Sequence, residues 1–148
     1  MIRRLMLSCF AGLFCGSLAP AQEQTLPKVT VELRAKAEKG DAMSQLFLGA
    51  AYANGSGVPT DEAEAIKWCR KAAGQGEVKG QVFLGFAYAN GRGVPKDEAE
   101  AYKWYLLAGA QGDEDARKRY AILERVLTPA QREEGQQMAR EFKPSKPR

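Results

Sequence analysis

The feature that most constrains the fold of this chain is an internal repeat of 36 residues. Residues 41–76 and 77–112 agree at 22 of 36 positions without a gap, whereas unrelated segments of ordinary composition agree at about two or three. Residues 34–40 resemble the end of each unit, and residues 113–121 begin a third unit that then diverges. A period of this length indicates stacked helical hairpins, each of which buries its apolar face against its neighbours.

Each unit is predicted to form two helices. In the first unit, Leu48, Gly49 and Tyr52 recur at helical spacing with Ser44, and the glycine-containing run at 55–59 ends the helix. Asp61 begins the second helix as its N-cap. Glu64 follows three residues later, as in a capping box, and the pair recurs at Asp97 and Glu100.

Small and large apolar residues have different roles in this pattern. Gly49, Gly85, Ala65 and Ala101 allow helix axes to approach closely, and we expect Trp68 and Trp104 to fill the layers between hairpins. The run Thr128-Pro129-Ala130-Gln131 is typical of a helix start. The helix that it begins is expected to contact the array through Met138, Ala139 and Phe142.

The sequence therefore predicts an all-α solenoid of about seven helices, within a chain that divides into eight segments. They are a signal peptide (1–21), a linker (22–27), an N-terminal half-repeat helix (28–40), two full repeats (41–76 and 77–112), a degenerate third-repeat helix (113–127), a capping helix (128–142) and a basic, solvated tail (143–148).

The first 21 residues have the features of an export signal. Arg3 and Arg4 precede an apolar run, and small residues at Ala19 and Ala21 predict cleavage after Ala21. About 14 apolar residues are too few to span a bilayer, and neither Cys9 nor Cys15 follows a lipobox. We expect a periplasmic or secreted protein that is not held in the membrane after cleavage.

Cleavage also changes the charge and the cysteine count. Removing Arg3 and Arg4 from the 22 basic residues leaves 20 against 18 acidic residues, a net charge of +2 in place of +4. This charge does not indicate nucleic-acid binding. Cys69 is the one cysteine of the mature chain, so no internal disulfide forms.

The motif Leu48-Gly49-x-x-Tyr52-x-x-Gly55-x-Gly57-Val58-Pro59-x-Asp61, followed by Ala65, Trp68, Ala72 and Gly76, resembles the Sel1-like repeat, a relative of the tetratricopeptide repeat. It recurs from Leu84 to Gly112. The resemblance implies a right-handed α/α superhelix that acts as an adaptor or regulator by binding proteins, with exported bacterial members. The chain departs from the pattern at Cys69, which replaces an aromatic residue, and in the third unit, which lacks the Gly-x-Gly-Val loop.

The resemblance also implies that first helices line the concave surface. Their outward side then carries an apolar strip that we expect to bind a protein or peptide, formed by Phe47, Phe83, Phe86, Arg119 and Ile122. The other interpretation is that Phe47 and Phe83 pack together to close the gap between units, and a half-buried arrangement lies between the two.

The residue types give little support to catalysis. The chain has no histidine, which removes histidine-activated nucleophiles and histidine metal sites, and its Gly-x-Gly runs follow helices as turns. We expect no enzyme activity, no cofactor and no metal. A monomer is expected, and an oligomer stays open as the alternative. Two alternatives stay open: a cell-wall or β-lactam hydrolase like cysteine-rich Sel1-like proteins, whose cysteine pairs this chain lacks, and a secreted factor that acts on host cells.

Overall fold

The structure, a computed structural model, describes residues 31–146 as seven helices, with no strand in that range. The predicted all-α solenoid of helical repeats is confirmed. The signal peptide, the linker and residues 28–30 lie outside the described range. The helices are α1 (residues 31–38), α2 (Ala42–Asn54), α3 (Glu62–Gly74), α4 (Val78–Asn90), α5 (Glu98–Ala110), α6 (Glu114–Val126) and α7 (Pro129–Glu141).

Side-chain carboxylates begin the helices as expected. Asp61 accepts a hydrogen bond from the backbone N–H of Glu64, and Asp97 does the same for Glu100. The Glu64 and Glu100 side chains, however, bind Lys67 and Lys103, so the reciprocal half of the predicted capping box is wrong at both helices. Thr128 and Gln131 form the complete box at the start of α7, with Pro129 in the first turn.

The apolar core follows the order of the units. Trp68 is 3% exposed and packs with Ala37 of α1 and Leu48 of α2, whereas Trp104 is 6% exposed and belongs to the cluster that joins α3 and α4. The predicted placement of both tryptophans between hairpins is therefore confirmed. Gly49 lies against the Cys69 thiol and Gly85 against the Tyr105 ring, so the predicted close approach of helices occurs at both positions.

A buried amide in each first helix joins consecutive units, and sequence reasoning missed it. Gln45 donates from Nε2 to the carbonyl oxygen of Ala37 at 3.0 Å, and its Oε1 accepts from Gln75 at 2.8 Å. Gln81 repeats the arrangement one unit later, with Ala73 at 3.4 Å and Gln111 at 2.9 Å. The sequence could have indicated this role, because the glutamine is identical in the two repeats and adjoins the predicted buried face.

The last helix departs from the hairpin pattern. α7 packs on α5, and a Cβ added to Gly135 would lie 2.8 Å from the carbonyl oxygen of Ala99 and 2.8 Å from the Tyr102 ring. Phe142, predicted as a contact of the cap, packs edge-on against Trp104 with ring centroids 5.8 Å apart. α7 thus covers the second helix of unit two.

The chain then continues back to unit one. The backbone N–H of Ser145 donates to the carbonyl oxygen of Gly74 at 2.8 Å, and its Oγ lies 3.2 Å from the same oxygen. That carbonyl belongs to the last turn of α3, where helix carbonyls have no partner within the helix. The side chains of residues 143–146 are exposed, as expected for a solvated tail, and Ser145 makes this contact from the surface.

None of the helices between residues 31 and 146 is long and apolar enough to cross a membrane.

We predict that Gly135→Ala destabilises the protein. Alanine improves helix propensity by up to about 1 kcal/mol, but the new methyl group meets the backbone of α5, and overpacking costs about 1–3 kcal/mol. Urea unfolding should show a lower midpoint with an unchanged slope. Glu133→Ala, at an exposed position of the same helix, is the control; an unchanged or higher midpoint for Gly135→Ala would contradict the tight packing of α7 on α5.

Candidate functional site

A pocket of about 100 Å³ lies between the first and second repeats. The end of α2, the start of α3 and the middle of α4 form its wall, and the loop after α4 forms its rim. Apolar side chains dominate the lining, with one amide and one ion pair among them. The lining residues are Ala53, Asn54, Glu62, Ala65, Ile66, Phe83, Phe86, Ala87 and Arg92.

The rim of the pocket is a charged contact between the two units. Arg92 donates to Glu62 Oε1 from Nε at 3.0 Å and from Nη2 at 2.7 Å, and its guanidinium lies 5.9 Å from the centroid of the Phe86 ring. The neighbouring Gly93 has a φ of +69°, and a Cβ there would lie 2.7 Å from the backbone oxygen of Glu62. Only glycine fits this loop conformation and this approach.

The five residues predicted to bind a partner are distributed over three helices. Phe83 and Phe86 are brought together in the pocket wall. Phe47 lies on α2 with 55% of its surface exposed, and Ile122 lies on α6 with 64% exposed. Arg119 is exposed on α6, with its guanidinium 5.9 Å from the centroid of the Tyr105 ring. The last three do not line the pocket.

The packing of Phe83 resembles the half-buried alternative. One side of Phe83 packs against the core cluster that contains Ile66, Leu84 and Trp104, and its other side faces the pocket. Leu46, which was not singled out from the sequence, is the α2 residue that packs on the same cluster. Phe47 therefore stays exposed while its neighbour in the chain helps to close the gap between units.

The pocket residues that sequence reasoning missed are Ile66, Glu62 and Arg92. Two of them occur where the repeats differ, since Tyr102 replaces Ile66 and Ser56 replaces Arg92 in the other unit. Tyr102 is buried and donates to Glu124 Oε1 at 3.0 Å. A Cβ added to Gly135 of α7 would lie 2.8 Å from the Tyr102 ring, so α7 packs on the position that corresponds to Ile66. A comparison of the positions at which the two repeats differ could have identified Ile66 and Arg92 from the sequence.

The acidic and thiol side chains considered for chemistry, Asp61, Asp97 and Cys69, are engaged in the fold. Between residues 31 and 146 there is no group of three or more side chains suited to holding a metal ion. Asp61 and Asp97 are occupied as helix caps. Burial raises the pKa of the Cys69 thiol to about 12, so the thiolate needed for nucleophilic attack is not formed at neutral pH.

Comparison with known proteins identifies the family. A family model described as Sel1 repeat matches residues 42–77 and 78–113. A Sel1 repeat protein from Oxalobacter formigenes is 43% identical, with a TM-score of 0.60 over 61% of this chain and 68% of that one. The chain belongs to the Sel1 repeat family. Sel1 repeat proteins are generally protein-interaction modules, and their fold is typically a non-catalytic scaffold.

A second solved relative is considerably longer. It is c5321, described as a protective antigen present in uropathogenic Escherichia coli strains and displaying an SLR fold. It is 33% identical, with a TM-score of 0.74 over 78% of this chain. The chain spans about a quarter (25%) of that relative's length. No curated protein sequence matches the chain.

We predict that Cys69 in the folded Sel1 repeat protein is nearly inert to thiol reagents. The residue has no exposed surface, and its raised pKa keeps it protonated. In a variant with Cys9 and Cys15 replaced by serine, the reaction with Ellman's reagent at about pH 8 should be about 100-fold slower than in urea. Rapid stoichiometric reaction of the folded protein would show that the thiol is accessible.

We also predict a stability loss in acid that originates at Asp113. Lys79 Nζ donates to Asp113 Oδ2 at 2.8 Å, and the N–H of Ala116 donates to Oδ1 at 2.9 Å. These two bonds hold the pKa of Asp113 below its ordinary value. Because the unfolded chain then binds the proton more readily, this stability is present above the unfolded pKa and is lost as the pH falls through the folded pKa.

The variant Asp113→Asn keeps a cap-forming side chain but removes the ionisable group. Its urea midpoint should fall less than that of the wild type between about pH 5 and pH 2. Asp115→Asn is the control, since Asp115 is exposed and lies 3.8 Å from Lys118. Equal acid sensitivity of the wild type and the Asp113→Asn variant would show that Asp113 is not the origin of the stability loss.

Proposed function

We propose that this Sel1 repeat protein is a non-catalytic adaptor or regulator of the bacterial cell envelope. Its binding surface is the outward face of the first helices α2, α4 and α6, on the side that the family resemblance places in the concave groove. Phe47, Phe83, Phe86, Arg119 and Ile122 form this surface, and the partner is a protein or a peptide segment. Export and cleavage after Ala21 are part of the proposal.

The observation that carries the proposal is the size and lining of the pocket. Sites for small-molecule substrates and cofactors enclose about 300–1,000 Å³, whereas this pocket is about 100 Å³. It accommodates one apolar side chain. Phe83 and Phe86 supply aromatic walls of the kind that dominate the binding energy of protein interfaces.

The surroundings of the pocket extend this surface beyond one side chain. Phe47 and Met43 on α2 are 55% and 47% exposed, and Ile122 on α6 is 64% exposed. Large apolar side chains gathered on one face mark an interaction site more often than scattered ones do. A partner segment that anchors one side chain in the pocket would cover several of these residues.

The test places a photo-crosslinking amino acid at Phe47, inside cells, because this residue is exposed and does not line the pocket. We expect capture of a defined partner, at the mass of a chain cleaved after Ala21. Phe86→Ala and Phe83→Asp should each reduce capture by about tenfold or more, since aromatic anchors at interfaces contribute at least that factor.

Two controls separate loss of binding from loss of folding. Val31→Asp introduces a charge at an exposed apolar position of α1 and should leave capture unchanged. Circular dichroism and the midpoint of thermal unfolding report whether Phe83→Asp remains folded, and Phe86→Ala keeps the core contacts of Phe83. Undiminished capture by both folded pocket variants would overturn the proposed binding surface.

A further inference from the structure

The charge on the first helices changes along the array. α2 carries no charged residue, and α4 carries Lys79 alone, which is paired with Asp113. α6 carries four cations, Arg117, Lys118, Arg119 and Arg125, and three carboxylates, Glu114, Asp115 and Glu124, a net charge of +1. A segment that crosses the array from unit one to unit three therefore meets mainly apolar first helices before it meets the charged side chains of α6.

Arg119 is the cation best placed to meet such a segment. It occupies the position of Phe83 one unit later, 36 residues along the chain. Its guanidinium lies near the Tyr105 ring, and among residues 31–146 no carboxylate pairs with it within 4 Å. Lys118 and Arg117 are engaged otherwise, Lys118 with Asp115 and Arg117 with the carbonyl oxygen of Gly109. Arg119 thus has donors available to a partner.

The distance from the pocket to Arg119 is set by the stacking of the units. Lys79 on α4 reaches the N-cap of α6 at Asp113, so these first helices are neighbours. Neighbouring helices lie about 10 Å apart, and the pocket lies on the α2 side of α4. The span is therefore about 10–20 Å, which an extended chain at about 3.3 Å per residue covers in about three to six residues.

We infer that the partner segment is an extended, acidic peptide that places one large apolar side chain in the pocket at Phe83 and Phe86 and a carboxylate, about three to six residues away, on Arg119. This inference rests on the proposed function. The planar guanidinium of Arg119 donates in a fork that matches a carboxylate. A basic segment is disfavoured, because Arg119 would repel it.

A random dodecapeptide display library, panned against the purified protein, tests this inference without a known partner. Enriched peptides should share an aromatic or large aliphatic residue and an Asp or Glu about three to six positions from it. Synthetic copies of these peptides should lose affinity for Phe86→Ala. Arg119→Glu should weaken them about three- to tenfold, the size of exposed charge effects, and addition of about 0.5 M salt should reduce the difference.

The matched control is Arg140→Glu, an exposed arginine of α7 outside the first-helix face, which should leave affinity unchanged. Panning against Arg119→Glu should replace the acidic residue of the motif with Lys or Arg. If the peptides require Phe86 but show no acidic preference, or bind Arg119→Glu equally well, the inferred partner chemistry is wrong and the binding surface stands. If binding is unaffected by both Phe86→Ala and Phe83→Asp, the proposed function is wrong as well.

Discussion

The stacking of this protein depends on one buried side-chain amide in each unit. Gln45 and Gln81 each join three helices, because the amide donates to the last turn of the preceding hairpin and accepts from the glutamine that ends its own hairpin. Gln81 has no exposed surface, so a unit displaced along its neighbour would leave buried polar atoms unpaired at about 1–3 kcal/mol each. Apolar packing alone tolerates such sliding. The amides therefore fix the axial position of each hairpin, and with it the shape of the pocket between units one and two.

The third unit shows how the array ends once this pattern stops. Arg117 stands where the first two units have glutamine, and it donates to Gly109, the counterpart of Ala37 and Ala73. Arg117 thus joins α6 to the preceding hairpin as the glutamines do in the first two units. However, α6 and α7 do not form a third hairpin, since α7 packs on α5. A solenoid end must cover its last apolar layer. Here α7 covers α5, with Gly135 against Ala99 and Tyr102 and with Phe142 against Trp104, and Ser145 then joins the cap to unit one at Gly74.

The sequence was sufficient to predict the helices and most of their caps, α7 included, but it did not reveal the glutamine contacts between units or the contacts between distant parts of the chain. Helix caps, turns and the placement of Trp68 and Trp104 follow from local chemistry and the 36-residue period. The contact between Ser145 and Gly74 spans 71 residues, and no periodicity specifies it. The strip of five residues was predicted from helix geometry, which identifies a common face but not depth. How deeply a side chain on that face is buried depends on the helices packed beside it, so Phe83 is half-buried against the core while Phe47 is exposed.

Several residues of the pocket lie at positions where the two repeats differ in sequence. Identical repeats would produce the same groove at each interface and would not distinguish one partner position from another. Ile66 becomes Tyr102 in the next unit, Phe83 becomes Arg119, and the loop residue Arg92 has Ser56 as its counterpart in the first unit. The first interface consequently has an apolar pocket, while at the second α7 packs on the Tyr102 ring and Arg119 is exposed at the position of Phe83. Many positions that are identical in the two units, such as Gln45 and Gln81, hold the helices together. The positions that differ make one end of the first-helix face chemically unlike the other. A bound segment would therefore have one preferred orientation along the array.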